Sequence, residues 1–174
     1  MKRIFAVVCC LALCAVPGLA QKKAAGAPMT DQQFVNMAAQ IDMVEANLGQ
    51  LAQDNASSQD VKDYGQMLAT DHTNDFSQLH AAAQTANLSV PDAIDTAHNK
   101  AMIAPFQKLK GSAFDHRYIK EMVAGHTKAI AMYKKEAADA QNDAIKTYAQ
   151  AALPVLQKHL DQAKELEKSG MKKK

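Results

Sequence analysis

The sequence of 174 residues has no tryptophan and only three cysteines: Cys9, Cys10 and Cys14. All three lie in an N-terminal stretch that we predict to be removed, so the remaining chain has no thiol. This absence excludes disulfide bonds, cysteine-ligated metal sites and a cysteine nucleophile from the mature protein. Aromatic residues make up only 5% of the chain, while Ala, Gln, Lys, Asp and Met are abundant. Such a composition is typical of a helical bundle.

The first twenty residues have the pattern of a secretory signal peptide. A basic start, Lys2 and Arg3, is followed by an apolar run from Ile4 to Val16 and a small-residue stretch that ends at Ala20. The run is shorter than the ~20 apolar residues that a membrane-spanning helix needs. We therefore predict a signal peptide over residues 1–20, cleavage near Ala20, a periplasmic or secreted protein, and no transmembrane segment in the mature chain. A lipid anchor at Cys14 fits less well, because Leu13 stands where such signals have a small residue.

The mature chain has no excess of charge of either sign. Cleavage removes two of the 20 basic residues and none of the 18 acidic ones, which leaves equal numbers. Basic residues form no stripe apart from the terminal lysines 172–174. Nucleic-acid binding is therefore disfavoured, whereas a protein partner or a homo-oligomer is compatible with the sequence.

The predicted layout is a flexible leader at residues 21–29, one helical domain at 30–168 and a basic tail at 169–174. Thr30 or Asp31 is expected to cap the first helix and Ser58 the second. Ser112 is expected to cap the fourth helix, with Asp115 in a capping-box-like position. The periodicity predicts helices over residues 30–54, 58–87, 92–109 (irregular, with Pro105), 113–138 and 143–168, the last bent at Pro154.

Each of the four long helices has one polar interruption in its apolar stripe. The interruption is Glu45 on the first helix and a histidine on each of the others: His72, His126 and His159. Four long helices with one long connection suggest a four-helix bundle with a crossover. If the crossover returns the chain along the bundle, the second and fourth helices are parallel. At ~1.5 Å per residue, the four interruptions then lie within roughly 10 Å along the axis.

Two interpretations of this polar layer are open. In the first, Glu45, His72, His126 and His159 bind one transition metal, for which iron, zinc, copper and manganese are all candidates. In the second, the layer is metal-free and fixes helix register, with Glu45 bonded to one histidine and Asp71, Tyr118 or Tyr148 satisfying the others. Asp71, Tyr118 and Tyr148 are accordingly the predicted partners of the central residues. The remaining histidines, His80, His98 and His116, are expected at the surface.

Several short motifs resemble a family of secreted bacterial proteins, the domain of unknown function number 4142. The resemblance runs from Asp31 to about Leu166, with the motifs in the same order and spacing. These are Phe34 with Glu45 and Leu48–Ala52; Met67 with Asp71 and His72; Gly111 with Phe114, Asp115 and Tyr118; Met122 with His126; and Leu153 and Pro154 with His159 and Leu160.

The resemblance implies a ferritin-like helical bundle and an exported location, and no established reaction. Ferritin-like di-iron proteins use Glu-x-x-His motifs. Here Ala69, Val123 and Leu156 stand three residues before the core histidines, so ferroxidase activity is not expected. The prediction is a non-catalytic exported protein that binds a transition metal in its core, or alternatively a metal-free structural, interaction or stress-associated protein.

Overall fold

The structure is a computed structural model that describes residues 29–171. Four long helices make up most of it: α1 (Asp31–Asn55), α2 (Gln59–Thr85), α4 (Gly111–Asp139) and α5 (Asp143–Met171). The connection between α2 and α4 contains the short helix α3 (Thr96–His98), which continues into one π-helical segment (Asn99–Ile103). There is no strand in residues 29–171. The all-α prediction is confirmed.

Three sequence predictions fall wholly or largely outside the described residues. They concern the signal peptide at 1–20, the leader at 21–29 and the second half of the basic tail at 169–174, whose first three residues belong to a helix and not to a tail. Within residues 29–171, no helix combines the length and the apolarity that a membrane span requires.

The helices form two antiparallel hairpins, α1 with α2 and α4 with α5, and α2 also packs beside α5 and α1 beside α4. The crossover returns the chain to the end of the bundle where α1 ends and α2 begins. There, Asp115 in the first turns of α4 accepts hydrogen bonds from the backbone amides of Ser57 and Ser58, each at 3.0 Å. Helices α2 and α4 are therefore parallel. The predicted meeting of the polar interruptions at one height along the bundle required this arrangement.

The helix starts differ in part from the predicted ones. Thr30 caps α1 in a full capping box with Gln33, as expected. The side chain of Ser58 makes no capping bond, and Asp115 accepts hydrogen bonds from the amides of Ser57 and Ser58, just before the first residue of α2. Ser112 lies inside α4, so its predicted capping role is wrong. The helix begins at Gly111, which has a φ of +61° that favours glycine.

The predicted third helix is much shorter than residues 92–109. Regular helix is limited to Thr96–His98, and the π segment ends at Ile103, before Pro105. Proline lacks an amide donor and clashes with the preceding turn, which explains why the helix stops ahead of it. Helix α5, in contrast, continues through Pro154.

The interior has two apolar clusters with a polar level between them. One cluster includes Phe34, Leu79 and Tyr133, and the other includes Leu48 and Phe114. On α1, α2 and α4, the boundary between the clusters falls at a buried polar residue. These residues are Asp42, His72 and His126. The polar level is therefore a feature of the tertiary structure and not of one helix.

A second buried carboxyl, Glu136 near the end of α4, gives a pH-dependent prediction. Glu136 is 2% exposed, and burial, with a smaller contribution from Asp31, raises its pKa to about 7. A carboxyl with a raised folded-state pKa stabilises the fold at low pH, and this contribution is lost as the pH rises through the folded pKa. We expect Glu136→Gln to stabilise the protein by about 1–2 kcal/mol at pH 8 and by little at pH 4.5. Urea unfolding at the two pH values measures the difference, and an equal gain at both would contradict the assignment.

Candidate metal centre

Three of the four predicted interruptions meet at the centre of the bundle. His72 comes from α2, His126 from α4 and His159 from α5, and their side chains are only 1–2% exposed. One ring nitrogen from each histidine lies within 4.8 Å of those of the other two. Helical spacing points each imidazole inward, and the parallel course of α2 and α4 brings all three to one level.

Each imidazole has one nitrogen engaged in a hydrogen bond. His126 donates from Nδ1 to the main-chain oxygen of Met122 at 2.9 Å, and His159 donates from Nε2 to Asp71 Oδ2 at 3.0 Å. His72 Nδ1 lies 2.9 Å from Asp42 Oδ1. A carbonyl oxygen can only accept, so the proton on His126 must be at Nδ1. Bonds of this kind to carboxylates and carbonyls orient histidines that bind metals.

The nitrogens left over face one another. His126 Nε2 lies 3.3 Å from His159 Nδ1, and these are the two atoms that carry no proton when the outer nitrogens donate. His72 Nε2 has no hydrogen-bond partner among the described residues. Burial lowers the pKa of His126 to about 3 and that of His159 to about 4, and it also lowers the pKa of His72. The neutral imidazole, which is the form that binds metal ions, is therefore favoured in all three histidines.

The spacing of these nitrogens suits a single metal ion. Zinc–imidazole bonds are about 2.0–2.1 Å, which places two nitrogens of a tetrahedral site about 3.3–3.4 Å apart. The observed 3.3 Å between His126 Nε2 and His159 Nδ1 has this value. With bonds of that length, one ion can contact both nitrogens, and a small approach of His72 completes a three-imidazole site.

Glu45 lies beside the cluster but is not part of it. Its carboxyl is not among the groups within 4.8 Å of one another, although it interacts electrostatically with His72. Burial raises the pKa of Glu45 to about 7, and the interaction with His72 opposes this shift. Gly125, next to His126 in sequence, lies close to Glu45: a Cβ there would be 3.5 Å from Glu45 Oε1, an ordinary van der Waals contact.

The three residues predicted to bond the central histidines, Asp71, Tyr118 and Tyr148, differ in their contacts. Asp71 bonds His159, as described. Tyr118 stacks on Phe114, and its hydroxyl has no hydrogen-bond partner within residues 29–171. Tyr148 donates to Asp75 at 2.8 Å and contacts the hydroxyl of Tyr133 at 3.2 Å, so it bonds no histidine.

Sequence reasoning missed Asp42 and Asp75. Asp42 is the partner of His72, and both burial and the nearby charge of Asp75 raise its pKa. The helical spacing of the sequence could have identified Asp42, which lies four residues after Ala38 and three before Glu45. All three residues are on the buried face of α1, which is wider than a single stripe of residues. Asp75 follows His72 by three residues and shares its helix face.

The other histidines lie at the surface, as expected. His80 and His116 are exposed, and His98 pairs with exposed Asp95 at 2.9 Å.

Comparisons with known proteins identify a family and a fold. The profile of the domain of unknown function DUF4142 matches residues 16–166. No curated protein matches the chain. The solved structure "CopM in the Cu(II)-bound form" is similar with a TM-score of 0.65 and 14% sequence identity, over 80% of this chain and 97% of that one. At such low identity the similarity shows the fold alone.

Proposed function

The chain belongs to the DUF4142 family, and we propose that it is an exported helical-bundle protein that binds one transition-metal ion through His72, His126 and His159. We also assign the bundle to the ferritin-like folds. Two antiparallel hairpins joined by one long crossover, with α2 and α4 parallel, support this assignment.

One observation carries the proposal: one nitrogen from each of three buried imidazoles lies within 4.8 Å of the other two, and His72 Nε2 has no hydrogen-bond partner among the described residues. Buried polar atoms in folded proteins nearly always have a partner, and each exception calls for an explanation. A cation that accepts electron pairs satisfies His126 Nε2, His159 Nδ1 and His72 Nε2 together. Water does so poorly, because the two facing nitrogens are only 3.3 Å apart.

The ligand set favours copper, zinc or iron over manganese. Imidazole nitrogen suits copper, zinc and iron, whereas manganese sites usually contain several carboxylates. The Cu(II)-bound state named for the similar structure, CopM, also supports copper. In this proposal Glu45 supplies negative charge to the site, since a divalent ion bound only by neutral imidazoles would remain uncompensated in the core.

The burial of the three histidines supports metal binding without catalysis. The three histidines are 1–2% exposed, which leaves no open position for a substrate at the cluster. The absence of Glu-x-x-His motifs supports the same conclusion for di-iron chemistry.

A metal-free polar layer is the second candidate. It is favoured by the position of the cluster at the boundary of the two apolar clusters, and by the Asp42–His72 bond that joins α1 to α2. In this role the layer would fix the register of the helices.

Elemental analysis separates the two candidates. The full-length chain is expressed in a bacterium, purified from the periplasmic fraction without chelator, and assayed for iron, zinc, copper and manganese. We expect about one ion per chain in the parent and none in Glu45→Ala/His72→Ala, while the matched surface variant His80→Ala/His116→Ala retains it. No metal in the parent, together with no thermal shift on adding these ions, would leave the structural role.

The same preparation tests export. The intact mass is expected to correspond to a chain without residues 1–20. Recovery of the uncleaved chain in the cytoplasmic fraction would contradict the signal-peptide prediction.

A further inference from the structure

The histidine cluster has three hydrogen-bond partners outside it, and one of the three reaches solvent. The side chain of Asp42, which bonds His72, is 0% exposed, and His126 bonds the main-chain oxygen of Met122, a residue that is 1% exposed. Asp71, which bonds His159, is 29% exposed. Of the three partners, Asp71 alone therefore lies in contact both with the cluster and with water.

A groove of about 610 Å³ lies between the first half of α2 and the last part of α5, and its lining on α2 ends at Met67, one helical turn before Asp71. Tyr64 lines this groove and donates a hydrogen bond of 3.1 Å to the main-chain oxygen of His159. Met67, one helical turn before Asp71, also lines it. The inner wall of the groove thus contacts the same turn of α5 that carries a proposed ligand.

The groove has more acidic than basic residues. Its charged lining residues are Asp60, Asp63, Asp161, Glu165, Lys164 and Lys168. On α2, Asp63, Met67 and Asp71 follow one another at intervals of four residues, so one oxygen or sulfur ligand is present on each turn toward the cluster. An acidic stripe by itself is commonly only a solvated surface. Here the stripe ends at Asp71, which bonds His159 of the cluster, and another nitrogen of the cluster, His72 Nε2, has no partner among the described residues.

We infer that this groove is the entry path by which a metal cation reaches the histidine cluster. The carboxylates raise the local concentration of cations, and Asp71 is the last exposed ligand before the core. The ion passes to the histidines when Asp71 releases His159. The inference rests on the proposed metal-binding function and adds its route of loading.

Loading kinetics with cobalt(II) test the route, because cobalt in a site of nitrogen ligands has visible absorption bands. The groove variant is Asp63→Lys/Asp161→Lys. Its matched control is Asp92→Lys/Asp139→Lys, which changes the net charge equally on exposed residues of the crossover and α4. Stopped-flow absorbance at low and high salt gives the loading rate of each metal-free protein.

We expect the groove variant to load about tenfold more slowly than the parent at low salt, with the control within about twofold of the parent. The difference should shrink at 1 M salt, where the Debye length is about 3 Å. The final cobalt spectrum and stoichiometry should be the same in all three proteins. Equal rates in the groove and control variants would overturn the entry path and leave the site intact. A parent that develops no cobalt bands would overturn the site itself.

Discussion

His126→Leu is expected to abolish tight metal binding and to leave the metal-free bundle at least as stable as the parent. Structural zinc sites provide about 10–16 kcal/mol through four ligands, so the loss of one ligand weakens binding by roughly two to three orders of magnitude. Without metal, His126 is a buried polar side chain, 1% exposed, whose Nε2 lies 3.3 Å from His159 Nδ1. Burying a polar group in the core costs about 1–3 kcal/mol unless it is well hydrogen-bonded, and leucine removes that cost.

Isothermal titration with zinc and copper(II) measures the loss of affinity, and thermal unfolding in chelator measures the stability of the metal-free protein. The matched control is His116→Leu, which removes an exposed histidine from the same helix. Metal should raise the melting temperature of the parent and of the control but not that of His126→Leu. Stoichiometric binding with unchanged affinity in His126→Leu would refute the assignment of this residue as a ligand.

Gly49→Ala is expected to destabilise the protein by about 3 kcal/mol, because α1 and α2 contact each other through their backbones at this point. A Cβ at Gly49 would lie 2.4 Å from the main-chain oxygen of Gly65 and 2.9 Å from the amide nitrogen of Ala69. Neither atom can rotate away, so the helices must separate. Alanine favours helix over glycine by about 1 kcal/mol, which is too little to offset the separation.

Gly125→Ala is the control for this substitution. It is also inside a long helix, but its nearest neighbour would be Glu45 Oε1 at 3.5 Å, an ordinary contact. We expect Gly125→Ala to be neutral or stabilising by up to about 1 kcal/mol in urea unfolding. If Gly49→Ala unfolded at the same urea concentration as the parent, the close approach of α1 and α2 would be disproved.

Separation of α1 from α2 has a second expected effect. Asp42 on α1 bonds His72 on α2 at 2.9 Å, so Gly49→Ala should also weaken metal binding without altering a ligand. Loss of an outer hydrogen bond to a metal-binding histidine typically costs about 10–100-fold in affinity.

Much of the fold was predictable from the chain because helices are specified locally. The apolar spacing predicted four long helices whose ends agree with the structure to within a few residues, and the cap of the first helix is Thr30, one of the two residues predicted for it. The errors occur where a distant residue replaced a local interaction. Asp115 of α4 binds the turn that precedes α2, where Ser58 was expected to cap the helix, and the crossover helix ends before Pro105.

The polar level was only partly predictable. His72, His126 and His159 interrupt apolar stripes and are visible in the sequence, and they do meet. Asp42 was missed because a single stripe is narrower than the arc that a central helix buries. Glu45, on the stripe, lies next to the cluster, since the rotation of α1 directs Asp42 and not Glu45 to the histidine of α2.

The sequence by itself determined the helices, their apolar faces and the polar residues that interrupt them, because side-chain periodicity is a property of each helix alone. Only the tertiary structure decided which polar residues lie at one height along the bundle, which nitrogen of each imidazole contacts an outer partner and which partner reaches solvent. Those properties depend on the direction and rotation of neighbouring helices. They are set by the crossover and by contacts such as that of Gly49 with Gly65, between residues far apart in the chain.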